Sequence, residues 1–226
     1  MKEVNLLLKM ADRLTPMTLF ERKRLENVYD IPSQKISIIP NGINEVFFNE
    51  VIDDVQIPFK DYLLIVGRIE QNKNQLSVIK AANLIGMNLI IVGEPVTSSI
   101  EYASQCKRIA GPNVFFWGKE KNPYALKKLY SQASVTVIAS YSEMLPLVIY
   151  ESFSAGTPVV CTNKASIFGD MIYGLTFTAP NDRELCKSIR KAVSTDYDLN
   201  KLKLSALHWG DIADLYISVY NELEIK

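Results

Sequence analysis

Two cations and two carboxylates carry the chemical signal of this sequence. The loop Gly67-Arg68-Ile69-Glu70-Gln71-Asn72-Lys73-Asn74 follows an apolar run ending at Val66 and leads into helical spacing. Arg68 and Lys73 stand five positions apart and can converge on one polyanion. A guanidinium fork matches pairs of phosphate oxygens and an ammonium acts as a point charge. Free N–H groups at a helix start can add to them. The plain alternative is a solvated loop with two ordinary surface cations. The second stretch runs Ala139-Ser140-Tyr141-Ser142-Glu143-Met144-Leu145-Pro146-Leu147-Val148-Ile149-Tyr150-Glu151, with Glu143 and Glu151 eight apart. Pro146 suits the start of a helix, where a missing N–H costs nothing. Leu147 and Val148 then present unpaired N–H groups at the positive end of the helix dipole, a place for a phosphate. Glu143 can accept hydrogen bonds from a sugar and Glu151 from a ribose diol. The plain alternatives are helix capping by Glu143 and a surface role for Glu151.

Other chemistries are disfavoured by what is missing. GxGxxG and GxxxxGK[ST] do not occur, which argues against a dinucleotide dehydrogenase and a P-loop NTPase. The Asp-x-Asp spacing occurs once, at Asp196-Tyr197-Asp198 and not in the loops after the central strands, and Asp53-Asp54 are adjacent. The single histidine, His208, falls in a C-terminal helical stretch, supports no Ser/His/Asp triad and reads as structural. Cys106, Cys161 and Cys186 are odd in number and widely spaced, so neither a disulfide framework nor a zinc site is expected, and a reducing compartment is. Formal net charge is zero, so no global basic field gathers nucleic acid, and any anion must be held locally. No apolar run approaches the roughly 20 residues of a membrane-spanning helix, and residues 1–10 lack signal-peptide order. The reading is cytoplasmic.

The elements that must position these residues alternate between strand and helix, the pattern of a parallel sheet covered by helices. Strands are expected at Lys35–Ile39, Tyr62–Val66, Asn88–Val92, Asn113–Trp117, Val135–Ala139, Pro158–Cys161 and Leu175–Thr178. Helices are expected over Ala11–Val28, Asn74–Ile85, Ser98–Ala110, Pro123–Gln132, Leu147–Ala155 (closed by Gly156), from near Asn181, and over most of Leu202–Leu223. In the last, Trp209, Ile212, Leu215, Tyr216 and Val219 form an apolar stripe. The central strands are nearly all apolar, as when both faces are covered. Ligands in such sheets bind beyond the strands' carboxyl ends, which points to the residues after Val66, Val92, Trp117 and Ala139. The expected organisation is a helical lead-in at 1–34, a Rossmann-like domain at 35–200 and a C-terminal helix at 201–226.

In these residues the chain resembles the C-terminal domain of family 4 (group 1) glycosyltransferases, which have the GT-B fold of two facing Rossmann-like domains. Five blocks occur in the family's order: Ile39-Pro40-Asn41-Gly42-Ile43; Val66-Gly67-Arg68 through Lys73; Ile90-Ile91-Val92-Gly93; Glu143-x7-Glu151 with Gly156-Thr157-Pro158-Val159-Val160; and the tail with Trp209 and Tyr216. The implied fold class is α/β, a Rossmann-like parallel sheet with helices on both faces, the C-terminal half of a GT-B fold.

The resemblance implies transfer of a sugar from a nucleoside-diphosphate sugar with retention of α configuration and without a cofactor. By that resemblance Arg68 and Lys73 bind the donor diphosphate in place of a metal. Glu143 faces the transferred sugar, Glu151 holds the ribose hydroxyls, and Leu147 and Val148 give backbone donors to the diphosphate. Gly67 opens the cation loop, and the segment near Gly118 and Lys119 contacts the base. Arg68, Lys73 and Glu143 are the expected catalytic residues. Two positions depart from the pattern. Met144 replaces a usual glycine and is expected to narrow the sugar pocket or shift its loop, and Asn74 stands where many members carry glycine. The family's N-terminal domain, with its glycan or lipid acceptor, is not in this stretch, so the isolated chain is expected to be inactive. The whole protein is compatible with a peripheral place on the inner face of a membrane. Two rivals stay open: a non-catalytic nucleotide-sugar-binding module, and half of a GT-B epimerase or phosphorylase. An epimerase needs further acid/base groups near the sugar, and a pyridoxal-phosphate phosphorylase needs a cofactor lysine in a place Lys73 does not fit.

Overall fold

The computed structural model describes residues 2–49, 55–164, 175–178, 181–198 and 207–224. These fall into two units. One comprises residues 2–44 and 207–224, and the other comprises the described residues between 45 and 198.

The larger unit is a six-stranded, wholly parallel sheet in the order β3-β2-β1-β4-β5-β6. Its strands are β1 (Tyr62–Val66), β2 (Asn88–Val92), β3 (Val114–Gly118), β4 (Ala133–Ile138), β5 (Val159–Thr162) and β6 (Leu175–Thr178). Helices α3 (Gln75–Ile85), α4 (Ile100–Ile109) and α7 (Asp182–Ser194) cover one face, and α5 (Pro123–Ser131) and α6 (Leu147–Ser154) cover the other. The α/β class and the helices on both faces are as expected.

Alternate residues of each strand feed the two faces, because side chains alternate across a strand. Leu63, Ile65, Leu89, Ile91, Val135 and Val137 pack with Val78, Ile79 and Ala82 of α3 and with Leu185 and Ile189 of α7. Each such fully buried aliphatic contributes about 1.5–3 kcal/mol relative to exposure. On the opposite face two hydroxyls bridge neighbouring elements. Tyr62 Oη donates to the Leu129 carbonyl at 2.6 Å, and Ser152 Oγ donates to Thr136 Oγ1 at 2.7 Å.

The neighbours β1 and β4 run from the middle of the sheet in opposite connection directions. The chain goes outward through β2 and β3, then crosses back to β4. The loops after β1 and β4 therefore part, opening a crevice at the carboxyl edge.

The smaller unit holds α1 (Lys2–Met10), α2 (Leu19–Tyr29) and α8 (Trp209–Glu224). Two expectations fail here. The strand expected at Lys35–Ile39 is absent: Ser33–Lys35 is a 3-10 turn, and only Ile36 bridges, to Leu14. The helix expected over Ala11–Val28 begins only at Leu19. Pro16 lies just upstream, and Thr18 and Glu21 form a reciprocal capping box that sets the start. Along α8 the expected stripe is divided. Ile212 and Val219 are buried with Ile39, and Tyr216 packs partly buried against them, whereas Trp209 and Leu215 are exposed. Residues 202–206 lie outside the described residues. His208 is held by its backbone, which bridges to Ile43 and donates to Asp211 Oδ2 at 3.1 Å.

Candidate functional site

The loop after β1 cannot be an ordinary turn. Gly67 has φ +150° and Gly93, after β2, has φ +144°. A Cβ on Gly93 would sit 2.0 Å from the Gly67 carbonyl oxygen, so the ends of β1 and β2 approach more closely than a side chain allows. Backbone bonds from Gly67 N to Val92 O (2.9 Å), Gly93 N to Gly118 O (2.7 Å) and Ile69 N to Glu94 O (3.0 Å) hold them there.

Asn74 ends the cation loop at φ 54°, ψ 39°, the left-handed region. Glycine or asparagine is tolerated there, which explains why the substitution at this position is mild. Its buried side chain also ties the two loops, donating through Nδ2 to the Ala139 carbonyl at 3.2 Å and accepting from Tyr141 Oη at 3.3 Å. Tyr141 N donates to the Asn72 carbonyl at 2.8 Å, and Asn72 Nδ2 donates to the Ser142 carbonyl at 3.0 Å.

This stitching brings the predicted charges together. Lys73 Nζ lies 2.5 Å from Glu143 Oε1, and Ser140 Oγ donates to the same oxygen at 2.6 Å. Arg68 pairs with Glu70 at 3.1 Å, but its side chain is 67% exposed. Such an exposed pair is worth about 0–1 kcal/mol, so it holds the guanidinium only loosely.

A cleft of about 440 Å³ opens between these loops and α6. Gly67, Arg68, Lys73, Glu143, Leu147, Val148 and Glu151 all line it. Pro146 stands at the N-cap of α6, and no side chain caps that end. The first N–H groups of the helix thus have no side-chain acceptor and lie at the cleft wall. Glu151 is tied by one oxygen: Tyr130 Oη donates to Oε2 at 2.7 Å. Burial raises the Glu151 carboxyl above the usual range, and the Tyr130 bond offsets part of that rise.

Lys119 lines an adjoining hollow of about 360 Å³ that shares Val66, Gly67, Arg68 and Leu126 with the cleft. Gly118 lines neither; at φ +86° it turns the chain after β3. Leu145, and not Met144, is among the residues that line the cleft. Ser140, Asn72 and Tyr130 escaped the sequence reading. Nothing in the spacing of Asn72 and Tyr130 shows that they meet a loop or a carboxylate from elsewhere in the chain, and Ser140 is one of several hydroxyls beside Glu143 in its own loop. Among the described residues no group of three or more His, Cys, Asp or Glu side chains is placed to hold a metal ion.

The cleft pairs two cations and an uncapped helix start with carboxylates, at the point where the strand order reverses. That arrangement suits a diphosphate carrying hydroxyl-rich groups at both ends. A family model for glycosyl transferases group 1 matches residues 50–207. The chain belongs to that family. This group 1 domain is 28% identical over 176 residues to a D-inositol 3-phosphate glycosyltransferase of Acidothermus cellulolyticus, an alignment covering 70% of this chain and 39% of the relative. HepE of Anabaena, solved in complex with UDP, superposes with a TM-score of 0.79 at 14% identity over 99% of this chain and 66% of that one. Sucrose-phosphate synthase of Thermosynechococcus elongatus superposes with a TM-score of 0.79 at 22% identity over 98% of this chain and 61% of that one. The fold is that of the C-terminal, Rossmann-like half of GT-B glycosyltransferases. The chain spans less than two thirds of the length of each of these relatives. Among the described residues no helix is long and apolar enough to cross a membrane.

Proposed function

We propose that the cleft between β1 and β4 binds a nucleoside-diphosphate sugar, and that this domain is the donor half of a family 4 glycosyltransferase that retains α configuration. The observation that carries the proposal is the convergence of Arg68, Lys73 and the uncapped start of α6 on one cleft. The UDP bound to the Anabaena neighbour supports it.

Breaking the glycosidic bond builds negative charge on the β-phosphate and positive character on the sugar. Arg68, Lys73 and the N–H groups of Leu147 and Val148 stabilise the departing charge. Fixed donors of this kind contribute most where charge develops, and losing one costs about 2.7–4 kcal/mol in barrier. Glu143, anchored by Lys73 and Ser140, faces the sugar, and Glu151 takes the ribose hydroxyls. Gly67 lets the loop backbone approach the diphosphate, and the Gly118-Lys119 segment meets the base. The acceptor, a glycan or lipid, belongs to a facing domain, and without it the chain binds donor but does not transfer. The working place is the cytoplasm, with a peripheral position at the membrane's inner face.

The test is calorimetric titration with UDP, GDP and ADP, beside an Arg68→Ala/Lys73→Ala double variant. Binding of one nucleotide that is lost in the variant supports the reading. Equal binding by the variant overturns the role of these cations.

A further inference from the structure

Glu151 and Tyr130 form a pair that the cation chemistry does not use. Tyr130 sits on α5, is wholly buried and does not line the cleft. Phe47 packs edge-on against its ring at 5.7 Å, and its carbonyl accepts from Thr157 Oγ1 at 2.6 Å. Ring and backbone are therefore fixed independently of the phenol hydroxyl. Among the described residues that hydroxyl has one partner, Glu151 Oε2. The other carboxylate oxygen, Oε1, has no hydrogen-bond partner among the described residues, while Glu151 lines the cleft.

We propose that Tyr130 is a positioning residue for donor recognition: its hydroxyl pins Glu151 Oε2 so that the carboxylate presents its remaining acceptor capacity to the vicinal ribose hydroxyls. The proposal rests on the donor-site reading above. An ionised carboxylate has about four lone-pair sites, and a fixed one meets a diol without losing rotamer freedom on binding. The hydroxyl also has an electrostatic effect. Burial pushes the Glu151 proton affinity up and the Tyr130 bond pulls it down. Tyr130 itself stays protonated, since burial and the neighbouring carboxylate hold its ionisation far above the ordinary tyrosine range. It is thus a permanent donor that keeps Glu151 an acceptor.

The test compares UDP, GDP and ADP with their 2′,3′-dideoxy counterparts on the wild-type chain, Tyr130→Phe and Glu151→Gln. The expected result is that Tyr130→Phe weakens the ribonucleotide by at least about tenfold and leaves the dideoxy form within about twofold. The acid limb of ribonucleotide affinity should also move to higher pH in Tyr130→Phe, because the bond that favours the ionised carboxyl is gone; a merely structural role would not move it. Should Tyr130→Phe unfold, Glu151→Gln carries the test, because it must reduce the ribose-to-dideoxy difference. Equal losses for both nucleotides in Tyr130→Phe, or a ribose-to-dideoxy difference undiminished in Glu151→Gln, overturns the assignment. Failure of the wild type to bind any of the nucleotides overturns the donor-site reading and this assignment with it.

Discussion

Lys73 Nζ meets Glu143 Oε1 at 2.5 Å across loops that are 70 residues apart in sequence. The side chains are only 25% and 12% exposed, so the contact is partly shielded from water. The cation that would hold a diphosphate is thus already oriented by the carboxylate that would face the sugar. Partly buried pairs couple more strongly than surface ones, and residues in one network show interaction energies of about 0.5–3 kcal/mol. A double-mutant cycle of Lys73→Ala and Glu143→Gln, followed by urea unfolding, should give coupling of about 1–3 kcal/mol. Additive losses would show that the pair is not a unit.

Turnover should separate from stability at Lys73. In the whole enzyme, Lys73→Ala is expected to lower kcat/KM by a factor on the order of 100 or more, as for loss of one transition-state donor. Steady-state kinetics beside thermal unfolding checks this. Unchanged turnover would remove Lys73 from the mechanism.

Gly93→Ala should be among the most damaging small substitutions. The new methyl would fall 2.0 Å from the Gly67 carbonyl oxygen, on a backbone at φ +144°. Backbone strain alone costs about 1–3 kcal/mol, and displacing Gly67 disturbs the cation loop as well. Urea denaturation should show a loss above about 2 kcal/mol, together with weakened nucleotide binding.

At Asn74 the two simplest substitutions should differ. Asn74→Gly keeps the left-handed backbone and loses the side-chain ties, those to Ala139 and Tyr141 among them. Asn74→Ala loses those and adds a steric penalty of about 1–2 kcal/mol. Paired unfolding curves should rank Ala below Gly by that margin.

Glu151 should trade stability for binding. Its raised proton affinity means that the folded state favours the protonated carboxyl. The contribution of this group is therefore fully present below the unfolded-state pKa and is lost as pH rises through the folded-state pKa. Glu151→Gln should be more stable than wild type at neutral pH, lose that advantage in acid, and bind the ribonucleotide less well. Unfolding midpoints across pH, set beside titrations, check both signs.

Thiol labelling should be ordered. Burial pushes the Cys106 thiol up to about 11 and the Cys161 thiol up to about 12, and both side chains are enclosed. Cys186 is half-buried. An aromatic disulfide reagent should modify Cys186 in the native chain and reach the others only on unfolding.

Much of the larger unit was legible in the residues themselves. Runs such as Tyr62–Val66 and Leu89–Val92 are apolar throughout, as a strand covered on both faces requires. Gly156 marked the end of α6 because its backbone, at φ +85°, suits glycine there. Seven of the candidate site residues line one cleft, because the loops after the neighbouring parallel strands β1 and β4 part at the carboxyl edge and leave a crevice between them. The Thr18-x-x-Glu21 pattern that caps α2 also stands in the sequence, although the helical reading began at Ala11.

Other relationships belonged to the tertiary structure alone. Local pattern says nothing about which partner a side chain finds 21 or 70 residues away. The Tyr130–Glu151 and Lys73–Glu143 contacts, the asparagine stitches between loops and the approach of Gly93 to Gly67 are of that kind. So is the failure of Lys35–Ile39 to become a strand: its backbone bonds the short stretch from Leu14 to Pro16, but only Ile36 forms a bridge, to Leu14. Periodicity determines which face of an element is buried; the packed chain decides what that face meets.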